Sequence, residues 1–204
     1  MVPRTTAPIR IVPANQVRWE DLEKVLGKVR CHGGLCYCQR LKIRATQWKS
    51  ITDEDRAHRL RAQTDCGHPE SDTTSGLVAY VEGEPVAWCA LEPRTAYPGL
   101  LVTRTAWAGR AEDKSDAGVW AVTCFIVKTE HRWQGITYAL ASAAVEFARA
   151  RGAHAVEGYA MINQPGHDIT WGELHVGSRN AFLAAGFREV SRPSKRRVVM
   201  RIDL

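Results

Sequence analysis

The chain's apolar residues follow two different periods on either side of one basic turn. Val119–Val127 reads V-W-A-V-T-C-F-I-V, uncharged, β-branched and of strand length, which predicts a buried strand. Over Ile136–Arg151 the period becomes helical, with Leu140, Ala143, Ala144, Phe147 and Ala148 on one face. Between them, Arg132–Thr137 reads R-W-Q-G-I-T.

The same reading covers the rest of the chain. Ile9–Val12 predicts a first strand, and Gln16–Leu26 a helix with Asn15 as its cap and Gly27 as its stop. Cys31–Arg40 predicts an irregular loop. Thr52-Asp-Glu-Asp predicts a helix over Asp53–Gln63, with Thr52 capping and Asp55 in the first turn. Cys66–Gly76 is polar and turn-rich, and Leu77–Val81 with Val86–Leu91 predicts a hairpin around Gly83. Arg94–Gly118 predicts irregular chain with one short helical stretch near Tyr97–Arg104. Ala155–Met161 predicts a strand, Asn163–Val176 a long loop, and Gly177–Ala185 a helix stopped by Gly186. Phe187–Ser191 and Val198–Ile202 predict the closing strands. The order is β-α-α-β-β-β-α-β-α-β-β without internal repeat or linker, so residues 1–204 are expected to form a single domain.

Composition narrows this little. A chain of 204 residues can bury a sizeable core. The net charge of +6 is dispersed apart from Lys195–Arg197, so a nucleic-acid partner is not expected. No apolar run reaches bilayer length, and M-V-P-R-T-T-A-P lacks an apolar signal core. A cytoplasmic protein without a membrane partner is expected. Cysteines stand at 31, 36, 38, 66, 89 and 124. Cys89 and Cys124 fall inside apolar runs as small hydrophobes, and no disulfide framework is expected.

The turn at Arg132–Thr137 carries the chemistry. The first amides of a helix lack intrahelical partners, and the helix dipole favours negative charge there. Arg132 adds a planar cation suited to phosphate. A phosphate-bearing cofactor is expected.

This turn resembles the cofactor motif of the GNAT acetyltransferase superfamily, Arg/Gln-x-x-Gly-x-Gly/Ala between a strand and a helix. Arg132, Gly135 and Thr137 stand at its three defined places, Thr137 being bulkier than the usual small residue. R-N-A-F-L-A-A-G-F, Arg179–Phe187, is similar to a shortened form of the family's C-terminal segment, and G-L-V-A-Y-x-x-G-E-P-V-A-W to its hairpin. C-H-G-G-L-C-Y-C-Q-R, the Val119–Val127 strand and V-E-G-Y resemble a bacterial branch of unassigned substrate.

The resemblance implies an α/β fold: a mixed, mostly antiparallel central sheet of about seven strands, flanked by helices, with splayed central parallel strands. It implies acetyl-CoA as cosubstrate. Phe125, Ile126 and Val127 would follow the pantetheine arm, with the backbone of Phe125 and Val127 closest and an N–H near Phe125 polarising the thioester carbonyl. Arg132, Trp133, Gln134, Gly135, Ile136 and Thr137 would hold the pyrophosphate, and Asn180 joins the cofactor set. The implied reaction is N-acetylation of a primary amine, first of a small molecule, by direct attack in a ternary complex. Protein or peptide amines, and a non-catalytic acyl-CoA sensor, are the alternatives. A homodimer stays open.

The resemblance also exposes two departures. The position of the family's strand carboxylate, its general base, is Ala121, and that of its tyrosine acid is Phe182. Glu157 is the first replacement base, with His167, Asp168, Glu173 and His175 behind it. Tyr159 or Ser178 would replace the acid, which a thiol leaving group of pKa about 8–9 makes helpful rather than obligatory. Cys31, His32, Cys36 and Cys38 lack the paired C-x₂-C spacing of structural zinc sites. A reduced, metal-free loop beside the acceptor is expected, with Trp19, Tyr37 and Trp48 lining it.

Overall fold

The computed structural model describes residues 7–31, 33–163 and 169–204. The expectations placed on His32, His167 and Asp168 therefore lie outside the described residues. The strands are β1 (Ile9–Pro13), β2 (Arg30–Cys31), β3 (Gly34–Leu35), β4 (Gly76–Val81), β5 (Glu84–Pro93), β6 (Val119–Val127), β7 (Ala155–Gly158), β8 (Arg188–Ser194) and β9 (Arg197–Asp203). The helices are α1 (Trp19–Leu26), α2 (Asp53–Thr64), α3 (Pro98–Leu101), α4 (Arg104–Trp107), α5 (Ile136–Ala150), α6 (Trp171–Leu174) and α7 (Arg179–Ala184).

Seven strands make one sheet in the order β1-β4-β5-β6-β7-β9-β8, and β2 with β3 makes a separate ribbon. Only β6 and β7 run parallel in it. On one face, α5 buries Leu140, Ala144 and Phe147 against Val122, Phe125, Val127 and Val156. On the other, Leu22 and Leu26 of α1 and Leu60 of α2 pack against Tyr80, Trp88 and Ile126. Burial on both faces explains why β6 carries no charge. No helix among the described residues is long and apolar enough to cross a membrane.

Local signals act where expected at α2. Thr52 accepts from the Asp55 N–H, and the Asp55 carboxylate accepts from the Thr52 N–H, a complete capping box. Elsewhere tertiary structure overrides them. Asn15 does not cap α1, which starts at Trp19 after a short turn over Ala14–Gln16. Its buried amide instead donates to the carbonyls of His68, Pro69 and Ser71 at 2.8–3.3 Å. The expected loop Cys31–Arg40 contains the small ribbon, followed by left-handed backbone at Tyr37 and Cys38. Strand β7 ends at Gly158 rather than Met161. The Phe182 ring fills the space there, since a Cβ on Gly158 would lie 2.3 Å from it.

Candidate active site

The central strands part at a bulge. β6 and β7 pair over Val119–Val122 and Ala155–Gly158 and then separate. At that level the β5–β6 register steps by one, from Ala90 opposite Cys124 to Leu91 opposite Val122, which leaves Thr123 unpaired. A bulge bends its strand and re-aims the chain. Beyond it, Lys128 N–H donates to the Val86 carbonyl at 2.9 Å. Antiparallel alternation then turns the backbone of Phe125 and Val127 away from β5 and into the gap. Phe125 N–H donates to the His175 carbonyl at 2.6 Å, so the 174–178 segment closes that side.

At the far end of β6 the chain enters α5 through two left-handed residues, Trp133 (φ 65°) and Gly135 (φ 82°, the N-cap). The first helical bonds run from the Tyr138 and Ala139 N–H groups to the Gly135 carbonyl. The amides of Gly135, Ile136 and Thr137 therefore precede them, at the positive end of a 15-residue helix. Arg132 is half-buried beside them, the Gln134 amide donates to the Glu130 carbonyl, and Trp133 stands exposed. Asn180 lies exposed in the first turn of α7. Glycine in left-handed geometry, forward-pointing amides and a guanidinium form a donor set that fits a diphosphate.

The carboxylate favoured as base occupies a different environment from the one expected. Glu157 is fully buried. Its Oε1 accepts from Arg201 at 3.0 Å, from Arg94 at 3.4 Å and from Arg110, and its Oε2 accepts from Arg110 at 3.2 Å and from the Tyr159 hydroxyl at 3.0 Å. Both oxygens are held by donors, so Glu157 is the hub of an ion-pair cage and does not line the cleft that its neighbour Tyr159 lines. Tyr159 is its hydroxyl donor. Burial, with Glu157 beside it, pushes the phenol pKa well up and makes Tyr159 a poor acid. Ser178 caps α7 by accepting from the Ala181 N–H. Glu173 accepts from the N–H and hydroxyl of Thr170 and pairs with Arg196 at 3.1 Å. His175 Nδ1 lies 2.7 Å from the Gly172 carbonyl and Nε2 lies 2.9 Å from Arg40 Nη1.

Ala121 packs in a small core with Tyr97, Leu100, Ala106 and Trp107. Directly across the ladder from it stands Glu92, a residue that periodicity alone did not single out. Its carboxylate pairs with Lys42, and burial raises its pKa although Lys42 pulls the other way. The buried Tyr97 hydroxyl lies against Glu92 and Thr123. Thr123 lines a cleft of about 1030 Å³ on the face opposite α5, walled also by Ile43, Trp48, Leu100, Tyr159 and His175. The strand pairing that sets Glu92 opposite Ala121 is the signal that finds it.

Trp48 lines this cleft, whereas Trp19 and Tyr37 stack on one another at 6.0 Å outside it. All six cysteines are free thiols, and the Trp88 indole donates to Cys38 Sγ at 2.9 Å. No cluster of three or more His, Cys, Asp or Glu among the described residues is arranged to hold a metal.

The Acetyltransferase (GNAT) family model matches residues 40–167, and the chain belongs to this family. It is an acetyltransferase that uses acetyl-CoA. A crystal structure described as an acetyltransferase aligns over 95% of this chain and 98% of its own, at 17% identity and TM-score 0.57. A GCN5-related N-acetyltransferase from Kribbella flavida aligns over 96% and 98%, at 15% and 0.53. The yncA protein from Salmonella typhimurium, solved with its cofactor acetyl-CoA, aligns over 96% and 93%, at 13% and 0.53. Identities of this size show a shared fold. No curated protein sequence matches the chain.

Proposed function

We propose that the protein moves the acetyl group of acetyl-CoA to the primary amine of a small molecule, by direct attack in a ternary complex. The observation that carries this reading is the cleft of about 1030 Å³ that reaches Thr123, where β6 leaves β7. A cleft of this volume suits a compact acceptor. Acetyl-CoA supplies an activated acyl carbon with a thiolate leaving group. In this reading the Arg132–Thr137 turn holds its diphosphate. The gap-facing backbone of Phe125 and Val127 lies along its arm, with Phe125 N–H exchanging the His175 carbonyl for the ligand. The cleft aligns the amine with the gap, and alignment is itself a large part of such a rate. The amine proton leaves past the Thr123 hydroxyl and Tyr97 towards Glu92, whose proton affinity burial raises.

The test is thiol release from acetyl-CoA across a panel of primary amines, beside a binding isotherm for coenzyme A. Turnover with a small amine is the expected result. Tight binding without turnover for every amine would favour the acyl-CoA sensor instead, and turnover confined to peptides would favour a protein acceptor.

A further inference from the structure

The acceptor cleft has a one-sided charge. Among the described residues its wall holds four cations, Arg40, Arg44, Lys49 and Arg197, and no carboxylate. They come from two distant segments, 40–49 and the start of β9, which the fold brings to one cavity. Arg44 and Lys49 are exposed at its rim. Arg197 is half-buried, and its guanidinium makes no hydrogen bond or ion pair with a described residue. Burial and the neighbouring Arg40 cation both disfavour its charge. Among the described residues, the carboxylate acting on it, Glu173, is already committed to Arg196 and Thr170. An exposed arginine acting on a half-buried one that has no direct carboxylate contact among the described residues forms an arrangement that a bound anion relieves.

We propose that the acceptor is a small primary amine that also carries an anionic group, a carboxylate or phosphonate, bound by Arg197 and Arg40 while its amine points to Thr123. The inference rests on the N-acetyltransferase reading and names its substrate class. The guanidinium fork matches either oxyanion in a bidentate contact. The apolar wall at Ile43, Trp48 and Leu100 takes the carbon skeleton between the two ends. The same cations oppose an ammonium, so they repel polyamines and shift a docked monoamine towards the neutral form that attacks.

The experiment uses the full chain with acetyl-CoA and matched acceptors: amino acids, their carboxamides, aminoalkylphosphonates and spermidine. Thiol release should favour the anionic amines over their amides by roughly ten- to a hundredfold in kcat/KM, the worth of a charge-assisted hydrogen bond. Spermidine should be the poorest acceptor. Arg197→Gln should remove most of that preference by raising KM for the anionic amine, with coenzyme A affinity unchanged. Calorimetry of the same amines with the coenzyme A-loaded protein is the independent readout. Binding of the anionic amines with no turnover of any amine would overturn the catalytic reading and keep the pocket assignment. Equal use or equal binding of acid and amide, or a preference for spermidine, would overturn the pocket assignment and leave the N-acetyltransferase standing.

Discussion

Glu157→Gln separates a structural carboxylate from a catalytic one. The wild-type carboxylate is fully buried, and Arg94, Arg110 and Arg201 have side chains only 1%, 3% and 15% exposed. Glutamine keeps the shape, removes the charge and replaces one acceptor oxygen with an NH₂ among donors. The three guanidinium groups would then share Glu112, whose side chain is 41% exposed, with Asp203 still paired to Arg201. Removing one partner of a buried ion pair costs about 3–5 kcal/mol. In a chain of this length each kcal/mol lowers Tm by about 2–4 °C, so the expected fall is about 6–20 °C. Glu112 takes up part of the lost charge, which places the result towards the lower half. Thermal unfolding at pH 7 reads the stability. Thiol release well below both transitions should then give a pH profile with its limbs in the wild-type positions. A Tm within about 2 °C of wild type, with turnover down a hundredfold and the pH limb displaced, would refute this reasoning and restore Glu157 as general base.

Arg132→Ala should weaken coenzyme A by about 1.5–3 kcal/mol in calorimetry. Gly135→Val should weaken it more, because φ at that position is 82° and a branched side chain is strained there while blocking the amides; unchanged affinity in both would remove the diphosphate from this turn. Glu92→Gln should lower kcat by about 10²–10⁴-fold and flatten the acidic limb of the wild-type profile, since a base acts above its pKa; a loss under threefold would send the search to His175. Arg201 and Arg188 hold the Asp203 pKa down. Burial opposes a similar lowering at Glu112, but Arg110, Arg201 and Arg94 outweigh it. As pH falls through the interval between unfolded and folded values, the unfolded chain binds more protons, so these contributions are complete above about pH 4.5 and are lost below it. Urea midpoints that stay constant from pH 6 to pH 3 would contradict this.

The parts legible in the sequence are those written in local chemistry. β6 and α5 announce themselves through period and burial, and Thr52 with Asp55 announces α2 within four residues. The left-handed turn into α5 is legible for the same reason, since Arg132, Gly135 and the helix start are contiguous. The rest depends on contacts between distant positions. Glu157 meets Arg201, Arg110 and Arg94 across 44, 47 and 63 positions, so its spacing on β7 gives no sign that it is caged. Asn15 looks like a cap until the loop 53–56 positions away reaches its amide. Glu92 becomes a neighbour of the vacant Ala121 position only through the β5–β6 register, which the bulge at Thr123 shifts. The cleft joins segments 40–49, 99–106 and 193–199, whose convergence no local pattern encodes.

The two departures from the family pattern become intelligible together. Phe182 is fully buried, with its ring 5.8 Å from Phe125 and 5.0 Å from Phe187. Gly158 and Gly177 leave the room it fills, since a Cβ on either would meet its ring within 3 Å. The aromatic cluster packs beside the segment whose His175 carbonyl meets Phe125 and yields to the cofactor arm in the proposed reading. A phenol at this place could donate a proton, and the phenylalanine instead packs against Phe125 and Phe187. A thioester tolerates that exchange because a thiolate departs without much help. On the other side, the cleft cations that the acceptor's anion does not neutralise would lower the proton affinity of the docked amine, which eases the task left by Ala121. Both substitutions shift the proposed catalysis from proton transfer by side chains towards alignment and electrostatics. This arrangement fits an acceptor that brings its own negative charge into a positively charged cleft.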